Sequence, residues 1–131
     1  MRSVTRDYVQ KGCNLDLLAD SIEEYYQTKG YKIQSSKNDG GGWLIQAKRE
    51  GFLRELLAAD RAFTITVVGD PNNFKVSFGI GKWIQNLGIA ALEGVLVWPV
   101  LFFLEVPISL WSYEIEREFW EYVEKEVELK V

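Results

Sequence analysis

The sequence predicts an α+β domain: an antiparallel sheet of about four strands under an N-terminal helix, then an apolar helical hairpin and a long amphipathic C-terminal helix. Three observations predict it. Apolar residues near the N-terminus recur at helical spacing, and two pairs of alternating segments flank turn-forming residues. A proline-broken apolar stretch, 84–111, then precedes an acid-rich end. At 131 residues the chain is the size of one domain.

The first helix is predicted over 15–29. Leu15, Leu18, Ile22, Tyr25 and Tyr26 share one face, Asn14 is a suitable N-cap, Asp16 suits the positive end of the helix dipole, and Gly30 suits the exit. Alternation predicts strands over 31–35 and 43–48, joined by the Asn38-Asp39-Gly40-Gly41-Gly42 turn. A short helix is predicted over 51–59. A second pair of strands, 62–68 and 74–80, is joined by Gly69-Asp70-Pro71-Asn72-Asn73, whose proline and asparagines are turn formers. Phe74, Val76, Phe78 and Ile80 alternate cleanly, which requires one buried face of a sheet.

Charge divides the chain unevenly. Residues 1–82 hold 12 Lys/Arg and 10 Asp/Glu, whereas residues 83–131 hold 3 and 9. Between Trp83 and Tyr113 the charged residues are Glu93 and Glu105 alone, and residues 94–104 carry no polar side chain except the Trp98 indole. A helix without a polar face is buried on all sides or sits in lipid. A conventional span needs about 20 apolar residues. Residues 88–104 provide 17 with one glutamate, and Pro99 bends them. The expectation is a hairpin whose arms bury against the sheet, against a second copy of the chain, or in one membrane leaflet. Trp83, Trp98, Phe102, Phe103 and Trp111 are the candidate interface or apolar-ligand residues, with Trp83 and Trp111 as aromatic anchors. Beyond it, the last helix is predicted over 107–128, with Pro107 in its first turn and Ile108, Trp111, Ile115, Phe119, Tyr122 and Val123 as its apolar stripe.

Composition narrows the chemistry. There is no histidine and one cysteine, which excludes an intrachain disulfide, Cys/His zinc sites and histidine-based nucleophile systems. The acidic balance, −4 overall, speaks against nucleic acid as a partner. Glu93 and Glu105 are candidate buried carboxylates, since apolar surroundings raise a carboxyl pKa toward general-acid use. Gly79-Ile80-Gly81-Lys82 suggests an anion site only if a helix opens there, and Cys13 sits beside a helix start that would lower its pKa. The polar N-terminal residues suggest a cytoplasmic protein, with possible membrane association through the apolar stretch. No cofactor and no metal are expected. The functional expectation is a non-catalytic module that self-associates or docks on a membrane through 84–111. The alternative is a carrier of an apolar small molecule such as a lipid.

Overall fold

The computed structural model describes residues 3–37, 42–49, 61–84 and 103–129. Five antiparallel strands form one sheet: β1 (Ser3–Val9), β2 (Lys32–Lys37), β3 (Trp43–Lys48), β4 (Arg61–Asp70) and β5 (Asn73–Lys82), in the order β1-β5-β4-β3-β2. Two helices, α1 (Leu15–Thr28) and α2 (Tyr113–Glu128), pack on one face. The α+β class and the antiparallel sheet match the sequence expectation, and the count of strands does not.

The extra strand is β1, which pairs along β5 from Ser3↔Gly79 to Val9↔Asn73. Its inward positions are Val4, Arg6 and Tyr8. Arg6 hides the alternation: its guanidinium lies over the Trp120 ring, 4.7 Å from the centroid, and donates to Glu124 at 2.7 Å. A cation can occupy a helix-facing position when an aromatic face and a carboxylate receive it, so the strand reads as polar.

Helix α1 begins as the sequence suggests. Asn14 Oδ1 accepts from the Leu17 N–H at 3.1 Å, which satisfies one orphan donor of the first turn. At the other end Gly30 takes a positive φ of 89°. The Tyr31 and Gly30 N–H groups then bond back to the carbonyls of Tyr26 and Gln27. That pair of bonds closes the helix and turns the chain into β2.

Helix α2 starts later than expected. Pro107 precedes a 3-10 turn (Ile108–Leu110), and Ser112 then caps the helix by accepting from the Ile115 N–H. Trp111 fits the apolar stripe of a longer helix, which is why the sequence extends it. Instead Trp111 swings out of line to meet Phe78 edge-on at 6.0 Å, and Ile108 is left two-thirds exposed. Behind it the core is an aromatic stack in which Phe78 meets Phe119 at 4.7 Å and Phe63 at 5.5 Å. Burying each such side chain contributes about 1.5–3 kcal/mol.

The opposite face of the sheet is also buried at its centre, through Leu44, Gln46, Ala62, Thr64 and Thr66. Segments 51–59 and 85–102, where a short helix and the bulk of the apolar hairpin are expected, lie outside the described residues, as does the 38–41 turn.

Candidate functional site

The start of β2, the end of β3, the start of β4 and the end of β5 meet at one end of the sheet. The chain enters segment 84–111 from this end. One buried amide organises it. Gln46 is fully buried, and its Oε1 accepts from Gln34 Nε2 at 2.7 Å and from the Ile84 N–H at 3.0 Å. Its Nε2 donates to Thr64 Oγ1 at 3.1 Å and to the Lys82 carbonyl at 2.8 Å. Two donated and two accepted bonds satisfy a glutamine amide completely. Gln34 Nε2 adds a bond to the Ile84 carbonyl at 2.9 Å. Together they hold the chain at 82–84 against the sheet.

That hold places Trp83, half-buried, beside Lys32 and Lys48, whose ammonium groups each lie 5.7 Å from its ring. Gly30 and Arg49 complete a cleft of about 210 Å³ around the indole. The register makes the arrangement costly. Lys32 stands directly opposite Lys48 across β2 and β3, and Arg61 stands opposite Lys82 across β4 and β5. Like charges directly opposite each other destabilise a sheet. A cation over an indole returns about 0.5–1 kcal/mol at an exposed site.

A second, tyrosine-lined cleft of about 200 Å³ adjoins the first through Arg49. Tyr25, Tyr26 and Tyr31 surround it, with Lys29 5.0 Å from the Tyr25 ring and the Arg49 guanidinium 5.8 Å from the Tyr31 ring. Ile115 and Glu118 of α2 form the far wall. Burial, then the Glu118 charge, pushes the Tyr25 hydroxyl up to about 12. Burial raises Tyr31 as well, with Arg49 opposing. Tyr26 is wholly buried; this raises its pKa well above the ordinary value, and its hydroxyl has no hydrogen-bond partner.

Of the interface or ligand candidates singled out in the sequence, this end brings Trp83 to the cationic cleft and Phe103 alongside Gly81. Phe103 is buried where it bridges Gly81, and Trp111 is buried in the core with its indole N–H on Glu116 at 2.7 Å. Neither presents a free surface. Glu105 is exposed: two residues beyond the Phe103 bridge, it points away from the core that Val106 enters, so it is no buried carboxylate. Glu93, Trp98 and Phe102 lie outside the described residues. Gly79–Lys82 forms the last four residues of β5, and Trp83 and Ile84 that follow are not helical; the residues beyond them lie outside the described ones. Cys13 is buried, and desolvation followed by the Glu126 charge raises its pKa where a helix dipole alone would lower it.

Sequence reasoning missed Lys32, Lys48 and Arg49 as neighbours of Trp83. Lys32 and Lys48 are distant along the chain, and strand register sets them side by side. Among the described residues no group of three or more Cys, Asp or Glu is placed to hold a metal ion. No helix among them is long and apolar enough to cross a membrane. No protein-family model matches the sequence, and a search of curated proteins finds no significant match.

Proposed function

We propose that this chain is a non-catalytic module that docks on an anionic membrane surface, with the apolar part of 84–111 that precedes Phe103 as its contact and the basic, aromatic end of the sheet facing lipid headgroups. The observation that carries this reading is the like-charge cross-strand pair Lys32 and Lys48, whose ammonium groups both lie beside Trp83 where the apolar segment leaves the sheet. Opposing two cations across strands is unfavourable, and an anionic surface eases that repulsion. Each Lys or Arg near such a surface contributes about 1 kcal/mol of attraction. Tryptophan and lysine together suit the headgroup level, where an amphipathic ring and a long cationic chain both keep one end wet.

The test is sedimentation with phosphatidylcholine vesicles, with and without phosphatidylglycerol. Binding is expected only to the anionic vesicles, and it falls as salt screens the cations. Replacing Lys32, Lys48 and Arg49 together by alanine weakens it about 100-fold, the sum of three such contributions. A monodisperse dimer in light scattering that ignores both vesicle types assigns the apolar segment to self-association and overturns the proposal.

A further inference from the structure

Ile108 and Leu110, in the 3-10 turn, and Tyr113, at the start of α2, are 67%, 40% and 54% exposed. The turn itself is held firmly. Val106 and Trp111 on either side of it are buried in the core, and the Leu110 N–H closes it on the Pro107 carbonyl at 2.9 Å. Pairing fixes its place in the fold. Phe103 bridges Gly81 on the side of β5 away from β4, beyond the point where β1 begins opposite Gly79. Glu124 and Glu128 pair with Arg6 and Lys11, so α2 ends over the far end of β1. It therefore starts at the end of the sheet where β5 runs into Trp83. Trp83 lies beside β2 and β3 there, and the turn follows the Phe103 bridge. The two flank one end of the sheet on opposite sides of its width.

We infer that the Ile108–Leu110 turn and Tyr113 form a second foot, which enters the bilayer interface beside the Trp83 foot and fixes the pose in which the protein docks. This assignment rests on the membrane reading above and deepens it, giving a lipid contact to residues beyond Phe103. Area favours lipid over a second copy of the chain. A large side chain buries about 150–250 Å², so three part-exposed ones offer at most about 400 Å². A stable protein interface takes roughly 800 Å² from each partner. Lipid sets no such minimum, because interfacial binding scales with whatever apolar area leaves the water. A tyrosine ring suits the headgroup level, with its hydroxyl still wet. The two feet divide the work. Lys32 and Lys48 draw anionic headgroups, a pull that salt screens. Glu105 and Glu114, both exposed, flank the turn, so burial of apolar surface draws it and negative charge on the lipid does not.

Sedimentation with mixed phosphatidylcholine and phosphatidylglycerol vesicles at two salt concentrations tests it. Ile108→Ser should weaken binding about tenfold, the worth of one mostly exposed aliphatic side chain leaving water, and Leu110→Ser somewhat less. Both factors should be the same at either salt concentration, whereas the effect of Lys32→Ala fades as salt rises. Leu129→Ser, at the other end of α2 and equally exposed, should change nothing. A second measurement reads position without affinity. An environment-sensitive fluorophore on Ile108→Cys should shift to the blue on vesicle binding, and one on Leu129→Cys should not; Cys13 is buried and stays unlabelled. Parent-like binding by both Ile108→Ser and Leu110→Ser, or a label at Ile108 that stays in water, overturns the second foot and leaves docking through Trp83 standing. A dimer in light scattering that Ile108→Ser dissociates gives the turn to a second copy and overturns it as well. A parent chain that binds neither vesicle overturns both readings together.

Discussion

The two ends of the sheet treat charge in opposite ways. At the end where β4 turns into β5, Asp16 accepts from Lys37 Nζ at 2.8 Å and from the Trp43 indole N–H at 3.1 Å, while Lys37 also lies 5.6 Å from the Trp43 ring. The Asp70 carboxylate accepts from the Asn72 N–H at 3.0 Å within the hairpin itself. Along β1, Asp7 stands opposite Lys75 and pairs with it at 3.7 Å. A tryptophan, a lysine and an acid there form a closed set. At the other end a tryptophan meets two lysines, and the register opposes cation to cation twice. At the first end cations meet acids across short distances; at the second the register sets cation against cation.

Breaking the Gln46 network should have the largest effect. Gln46→Leu keeps the volume but leaves the Ile84 N–H and the Lys82 carbonyl without their partner. A destabilisation on the order of 3 kcal/mol is expected in a denaturant titration, since each orphaned buried group costs about 1–3 kcal/mol. Trp83 should become more exposed to a quencher in the same variant. A loss of stability with unchanged quenching would mean that the amide supports the sheet and does not position the indole.

A smaller change sharpens the contrast. Lys32→Glu turns the like-charge pair with Lys48 into an opposite-charge pair. Stability should rise by about 0.2–1 kcal/mol, while adherence to anionic vesicles falls. Both quantities falling together would show that Lys32 serves the fold after all.

The smallest effect belongs to the closed end. Hydrogen bonds from Lys37, then Trp43, hold the Asp16 carboxyl below its ordinary value of 3.8. A depressed carboxyl pKa stabilises the fold above the unfolded value, and that gain is lost as pH falls through the folded one. The stability difference between the parent chain and Asp16→Asn should therefore be constant near neutrality and shrink as pH drops below 3.8. Asp16 is fully exposed, so the difference is small.

Much of this fold was legible in the sequence, for identifiable reasons. Helix α1 carries a clean apolar stripe between an asparagine cap and a glycine exit, and β5 alternates without interruption. Strand β1 was illegible because Arg6 occupies an inward position, and the start of α2 because Trp111 satisfies a helical period that its backbone does not follow. Trp83 stood out as an aromatic next to an apolar run, but its cationic neighbours did not. Lys32 and Lys48 are 16 residues apart, and Arg61 and Lys82 are 21 apart. Nothing local marks such pairs, because pairing across strands is set by register. The Tyr26 hydroxyl was equally hidden: at helical spacing a buried tyrosine reads as one more apolar residue.

The Gln46 amide also determines how the molecule carries mechanical load. A pull on the end of an edge or hairpin strand ordinarily peels its ladder one bond at a time. Tension applied at Ile84 instead reaches β3 through Gln46 and β2 through Gln34, with β4 coupled at Thr64. The load is shared sideways across the sheet before the last bonds of β5 bear it alone. Force on the chain at Ile84 would thus tug on several strands in parallel and resist unzipping.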